Sequence, residues 1–279
     1  METPQKPLIV IDVDAVMRKR IPGIYRWTPR LLIRGMERLI HQEGLNKLLR
    51  DNYPRRGVAF CEGVFRDLKV TTELVNPERM PAPENRRVAY ICNHPLGALD
   101  GMALIRAIGQ HHGCEPYFVV NDLLSAVEPL GDVFVPINKH GAQSRDAAQY
   151  LDDAFASDRP MIVFPAGMVS RKTKGKAIAD LAWNKMFATK CLKHRRDVVP
   201  VFFDGRNSQF FYNFAKFRTR LGLKFNYEMV LLPSEIFKSV GNHYRICVGN
   251  TFPVSALASK SVPEIVNEVR AAVYALARK

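Results

Sequence analysis

From Val88 onward, short apolar runs alternate with segments of helical periodicity, and this alternation constrains the fold more than any other feature of the chain. Runs rich in β-branched and aromatic residues at 88–92, 117–120, 133–137, 161–165, 198–203, 227–232 and 244–249 read as strands. Between them, helices fit 101–110, 143–157, 175–193 and 207–221, with a last helix at 263–278. Strands separated by helical segments predict a largely parallel sheet with helices on its faces. The expected fold class is therefore α/β: a single domain with a mostly parallel central sheet flanked by helices, preceded by an N-terminal amphipathic helical segment. A further strand fits 68–75, and the prolines at 77, 81 and 83 make a loop ahead of Val88. No internal repeat or glycine-rich linker divides the chain. The N-terminal segment is assigned to residues 1–45 and the globular domain to 46–279.

The N-terminal segment is where charge enters the argument. Arg26, Arg30, Arg34 and Arg38 recur every four residues, and Leu32, Met36 and Ile40 keep the same interval two positions on, roughly 200° round a helix. Tyr25 and Trp27 stand just ahead. An arginine stripe beside an apolar stripe suits a helix lying in the plane of an anionic membrane, and equally a surface helix packed on its own domain. The whole chain carries 41 Lys and Arg against 27 Asp and Glu, a formal charge of +14, which calls for a polyanionic partner. Nucleic acid is not the partner expected, because most aromatic residues fall at core-like periodic positions rather than among the basic ones. No run approaches the roughly 20 apolar residues of a spanning helix, and Asp12 and Asp14 interrupt the only apolar run near the start. A soluble or peripheral protein is expected. Five widely spaced cysteines without a CxxC offer neither a disulfide framework nor a zinc site.

The usual nucleotide and hydrolase signatures are absent: no G-x-S-x-G, no G-x-x-x-x-G-K-[ST], no G-x-G-x-x-G. What remains is a polar, glycine-bearing turn after the strand at 88–92, Asn93-His94-Pro95-Leu96-Gly97-Ala98-Leu99-Asp100. A separation of six positions is roughly 240° net round a helix, so His94 and Asp100 cannot face one another on one regular helix. Pro95 and Gly97 bend the interval and let Asp100 fold back to the imidazole. A carboxylate on one ring nitrogen fixes the tautomer and frees the other nitrogen as a general base. The alternative leaves His94 in an ordinary loop and makes Asp100 a helix N-cap. A second glycine turn, Pro165-Ala166-Gly167-Met168-Val169-Ser170-Arg171, follows the strand at 161–165. Its basic run suits a phosphate or carboxylate, or is a solvated charged face.

These stretches resemble the lysophospholipid (glycerolipid) acyltransferase superfamily. Asn93-His94 with a following Asp is similar to its first motif. Gly131 to Lys139 is similar to the second, Phe164-Pro165-x-Gly167 with Ser170-Arg171 to the third, and Val198-Val199-Pro200-Val201 to the fourth. The order and spacing agree across residues 88–203. NHPLGALDG, FPAGxVSR and DGRNSxFFYN more narrowly resemble the bacterial branch, often labelled hemolysins, that acylates lyso-aminolipids such as ornithine or glycine lipids. Three departures from the superfamily pattern stand out. Five residues rather than four separate His94 from Asp100, Ala166 replaces a Glu, and Lys139 stands where an Arg is usual.

The resemblance implies an O-acyltransferase of membrane lipid biosynthesis. His94 and Asp100 would be its catalytic pair. Asn93, Gly97, Lys139, Pro165, Gly167, Ser170, Arg171 and Arg206 would bind substrate, with Arg206 set to pair the carboxylate of an amino-acid headgroup. The implied donor is acyl carrier protein or acyl-CoA and the acceptor a lysolipid, with no metal or bound cofactor. The implied location is peripheral, on the cytoplasmic face of the inner membrane against an anionic surface. A 1-acylglycerol-3-phosphate acyltransferase, a thioesterase using the same pair, and a non-catalytic basic protein binding lipid or nucleic acid are the other readings.

Overall fold

A computed structural model describes residues 11–20, 22–121, 127–137, 144–173, 177–222 and 226–278. Seven strands form the central sheet: β1 (Thr71–Val75), β2 (Val88–Cys92), β3 (Tyr117–Asn121), β4 (Phe134–Ile137), β5 (Met161–Val163), β8 (Asp197–Asp204) and β9 (His243–Val248). The two short strands β6 (Arg171–Lys172) and β7 (Ile178–Ala179) make a separate antiparallel hairpin. The sheet order is β1-β9-β8-β2-β5-β3-β4. Five neighbouring strands, β8 to β4, run parallel. β9 is antiparallel to β8 and carries β1 parallel to itself. The expected mostly parallel α/β architecture is thus observed, with a reversed pair at one edge.

The core explains the pattern of β2. All five of its residues are buried, as a central strand covered on both faces requires. Val88, Tyr90 and Cys92 face one layer, which contains α5 (Gly57–Asp67) and α6 (Leu99–His112). Ala89 and Ile91 face the other, built from α7 (Ser144–Ala156), α8 (Met186–His194) and α12 (Val262–Ala275). The remaining α-helices among the described residues are α1 (Val13–Arg20), α2 (Pro22–Tyr25), α3 (Arg30–Leu39), α4 (Gln42–Asn52), α9 (Gln209–Arg220), α10 (Leu232–Lys238) and α11 (Val254–Leu257). No helix among the described residues is long and apolar enough to cross a membrane.

Two segments differ from the sequence reading. The apolar run at 227–232 is not a strand. Tyr227–Leu231 is a short 3₁₀ helix that delivers Glu228 into the protein, where it is fully buried between Arg171 and Arg218. Of the helix expected at 175–193, only Met186–His194 forms among the described residues. Its first part instead supplies β7 and a buried Asp180. In the N-terminal segment Ile33 and Ile40 are buried, while Leu31, Leu32 and Leu39 are exposed beside Arg30, Arg34 and Arg38. The face of α3 turned inward is therefore offset from the Leu32, Met36 and Ile40 stripe.

Candidate active site

Because β2, β5 and β8 are parallel, their carboxyl ends open on one edge, and the loop after each carries a sequence-predicted residue. This is the edge where open α/β sheets place their sites. His94 follows β2, Pro165 and Gly167 follow β5, and Arg206 follows β8. Ser170 N–H donates to the His94 carbonyl at 2.7 Å, which ties the first two loops together. Asn207, next to Arg206, donates its side-chain amide to the Pro95 carbonyl at 3.1 Å and ties in the third.

The turn between His94 and Asp100 closes in the way that Pro95 and Gly97 allow. His94 Nδ1 lies 2.9 Å from Asp100 Oδ2. The same oxygen accepts from Leu96 N–H at 2.8 Å and Gly97 N–H at 3.3 Å, and Oδ1 accepts from Gly101 N–H at 2.9 Å. Asp100 is not the helix cap: Ala98 occupies that position and Asp100 sits in the first turn of α6, its carboxylate directed back at the loop. Gly97 has φ +92, and a Cβ there would stand 2.9 Å from both a Leu232 and a Val169 methyl group. Only glycine fits that corner without displacing its neighbours.

Asp100 is fully buried, which by itself raises a carboxyl pKa. The facing His94 and the backbone N–H donors outweigh burial and hold it below the usual carboxylate range. It is thus an anion that keeps Nδ1 protonated and leaves Nε2 as the nitrogen able to take a proton. The His94 ring stacks on Phe164, centroids 4.2 Å apart. It borders a cavity of about 600 Å³, a usual size for a small-molecule site. Phe118, Val120, Ile137, Val163 and Ala166 give that cavity apolar walls, and Asn184, Lys185, Thr189 and Lys190 of the α8 region complete it. Lys190 is paired with Asp152 at 2.8 Å, whereas Lys185 is exposed.

The other expected site residues divide by where their polar atoms go. Asn93 is committed to the fold: its amide donates to the Phe203 carbonyl at 3.0 Å and its oxygen accepts from Phe203 N–H at 2.7 Å. Arg171 is turned inward, donating to Glu228 at 2.9 Å and to the Val169 carbonyl at 2.7 Å. Ser170 is buried with its hydroxyl on Asp180 at 2.5 Å. Gly167, at φ +62, lines the cavity with open space over its Cα. The Pro165 carbonyl accepts from Asn184 N–H at 3.0 Å. Arg206 is exposed. Lys139 lies outside the described residues.

Asp180 is the residue that the sequence reading missed. Only 5% exposed, it accepts from His94 N–H at 3.1 Å, from the Ser170 hydroxyl, and from the Trp183 indole at 2.9 Å. Its own N–H donates to the Tyr274 hydroxyl oxygen at 2.7 Å. It therefore fixes the backbone of His94. Among the described residues, no group of three His, Cys, Asp or Glu side chains is placed to hold a metal ion.

Three comparisons with known proteins bear on this site. A family model described as acyltransferase matches residues 15–279. Two proteins named lyso-glycine lipid O-acyltransferase, from Phocaeicola vulgatus and Bacteroides thetaiotaomicron, are each 37% identical over 256 residues. The match covers 92% of this chain and 91% and 93% of theirs. The crystal structure of a 1-acyl-sn-glycerophosphate acyltransferase from Thermotoga maritima covers 88% of this chain and 90% of its own at 14% identity. Its TM-score of 0.46 is too low to carry an argument.

Proposed function

Because the chain belongs to the acyltransferase family, we propose that it moves a fatty acyl group from an acyl thioester to the hydroxyl of a lyso-aminolipid. The observation that carries this reading is the 2.9 Å contact between His94 and a buried, anionic Asp100 at the wall of an apolar cavity. The acceptor hydroxyl gives its proton to His94 Nε2 as its oxygen attacks the thioester carbonyl. Asp100 stabilises the imidazolium that forms. Collapse of the tetrahedral intermediate breaks the C–S bond, and the imidazolium returns the proton to the departing thiolate. The ester and a free thiol leave, and the base is regenerated.

The acyl chain suits the cavity walls of Phe118, Val120, Ile137 and Val163. The donor, acyl carrier protein or CoA, presents a phosphate that the exposed Lys185 at this cavity suits. Arg206, beside the loop of His94, suits a headgroup carboxylate, since a guanidinium can hold both carboxylate oxygens. An amino-acid headgroup is favoured over a phosphate by the two relatives named for lyso-glycine lipid. The enzyme works as a peripheral protein on the cytoplasmic face of the inner membrane. Trp27, Leu31 and Leu32 support this, at 80%, 79% and 59% exposure beside Arg30, Arg34 and Arg38. In this reading residues 1–45 associate with the anionic surface and residues 46–279 carry the chemistry.

The test is an acylation assay with purified protein, an acyl thioester and a panel of lysolipids. Ester product is expected with a lyso-aminolipid and is expected to vanish in His94→Ala. Full activity in His94→Ala would remove the base from the mechanism. Free fatty acid released equally with and without acceptor would make the protein a thioesterase.

A further inference from the structure

A surface helix normally buries one face and turns polar residues outward. α9 does not. Its inner face is fully used: Phe211, Tyr212 and Ala215 are buried, the first two packed with Val169 and Leu231. Its outer face is apolar as well. Phe210, Phe217 and Leu221 are 58%, 59% and 56% exposed, and half-buried Phe214 stacks on Phe210 with centroids 6.2 Å apart. Positions 210, 214, 217 and 221 fall within about 60° of one another round a helix. They therefore make one continuous stripe along three turns.

The charged side chains that α9 itself exposes beside the stripe are basic. α9 contains no Asp or Glu. Lys216 and Arg220 are exposed on one flank. Lys238 Nζ stands 5.8 Å from the centre of the Phe210 ring and is paired with the Glu235 carboxylate at 2.7 Å. Arg218 is drawn inward to Glu228, 2.7 Å from its Nε. Aromatic residues bordered by Lys and Arg on an exposed helix are suited to the boundary between headgroups and acyl chains of an anionic bilayer. The position matches that use. Asn207, two residues before α9 begins, is bonded to Pro95 next to His94, so the stripe stands on the same edge of the sheet as the base.

We propose that the outer face of α9 is a membrane-docking surface for a bilayer containing anionic lipid, separate in sequence from the N-terminal segment. It holds the catalytic edge against the layer in which a lysolipid acceptor resides. The choice of a lipid layer over other anionic partners rests on the acceptor proposed above; the apolar and basic stripe itself does not.

The full chain is sedimented with phosphatidylcholine vesicles with and without phosphatidylglycerol. Phe210→Ser, Phe217→Ser and Leu221→Ser combined are expected to lower vesicle binding about tenfold or more, and Lys216→Glu with Arg220→Glu to abolish the preference for phosphatidylglycerol. Acylation of lysolipid in detergent micelles is expected to survive both sets, while acylation in vesicles falls. Phe217→Trp in a Trp27→Phe background is compared with Trp27→Phe alone, which retains only the buried Trp183: the fluorescence added by position 217 should shift to the blue on adding vesicles. Unchanged binding by the triple variant, or no shift at position 217, overturns the proposal. So does a dimer that the triple variant converts to monomer, since the face would then belong to a second copy. If the unaltered protein acylates nothing in micelles, the acyltransfer reading fails, while the binding and fluorescence results still decide this one.

Discussion

His94 and Asp100 stand six positions apart in sequence and 2.9 Å apart in space, Nδ1 to Oδ2, with the carboxylate completely buried and its other contacts all backbone N–H groups. The pair is therefore oriented by the loop that separates it. Replacing Asp100 by Asn keeps the shape but offers an amide in place of an anion, so the imidazolium loses its stabilising charge and the tautomer is no longer fixed. The rate of acyl transfer is expected to fall on the order of 10²–10⁴-fold, with substrate binding little changed. Steady-state kinetics on Asp100→Asn check this; a rate within a few-fold of the parent would leave Asp100 only a structural role.

The same carboxylate links stability to pH. Burial opposes its ionisation, but His94 and the N–H donors more than offset this, and its pKa is lowered on folding. A group whose folded pKa is depressed releases its proton more readily when folded. Its contribution is complete above the ordinary Asp value of about 4 and is lost as pH falls through the lower folded value. Urea unfolding of the parent and of Asp100→Asn should therefore differ most at neutral pH and converge below about pH 4. A gap that stays constant down to acid would contradict the shift.

Asp180 should matter although it faces no substrate. Asp180→Ala strips the acceptor from His94 N–H, the Ser170 hydroxyl and the Trp183 indole. Each buried donor left without a partner costs about 1–3 kcal/mol. A lower melting temperature and a reduced kcat with nearly unchanged KM are expected, with Asp180→Asn, which keeps one oxygen, intermediate in both. Melting and kinetics indistinguishable from the parent in Asp180→Ala would mean that the loop of His94 is held by other contacts.

The glycines of the two site loops should respond unequally. At Gly97, with φ +92, an added methyl meets Leu232 and Val169 at 2.9 Å in the turn that feeds N–H groups to Asp100. Gly97→Ala is expected to cost about 1–3 kcal/mol and most of the activity. At Gly167 the same methyl meets nothing within 4 Å, so only backbone strain of about 1 kcal/mol remains. Thermal melts of the two variants decide it, and equal losses would show that strain alone governs both positions.

How far the sequence discloses this arrangement depends on whether a contact leaves a local mark. β2 is legible to the residue because a central strand buried on both faces must be continuously apolar. The loops after β2 and β5 are legible because glycine turns at strand ends are short-range signals. Asp180 is not legible: it bonds to a backbone group 86 positions away, and a lone Asp in an otherwise helical-looking run has no pattern of its own. The 3₁₀ helix at Tyr227–Leu231 misled for a related reason. An apolar run of that length reads as a strand, and the ion pairs that bury Glu228 come from Arg171 and Arg218 in other elements. Arg171 likewise reads as a free cation in a basic run, and only the tertiary structure supplies the carboxylate that engages it.

The cavity should set which acyl chains are accepted. Ala166 lines it together with His94, Phe164 and Val163, at the position where the superfamily usually carries Glu. A small apolar side chain there leaves the wall beside the base uncharged and wide. Ala166→Phe puts a ring into that space without touching Asp100 or the loop that holds it. Activity with short acyl thioesters should persist, while activity with long ones falls by about tenfold or more, because a pocket that loses volume excludes the bulkier chain at a cost of about 1–3 kcal/mol. Preference among acceptor lysolipids should stay as it is, since Arg206 belongs to the loop after β8. Competition assays with mixed thioesters, analysed by mass of the ester products, separate the two effects. A change in acceptor choice with chain length unaffected would move the acyl chain out of this cavity and place the headgroup there instead.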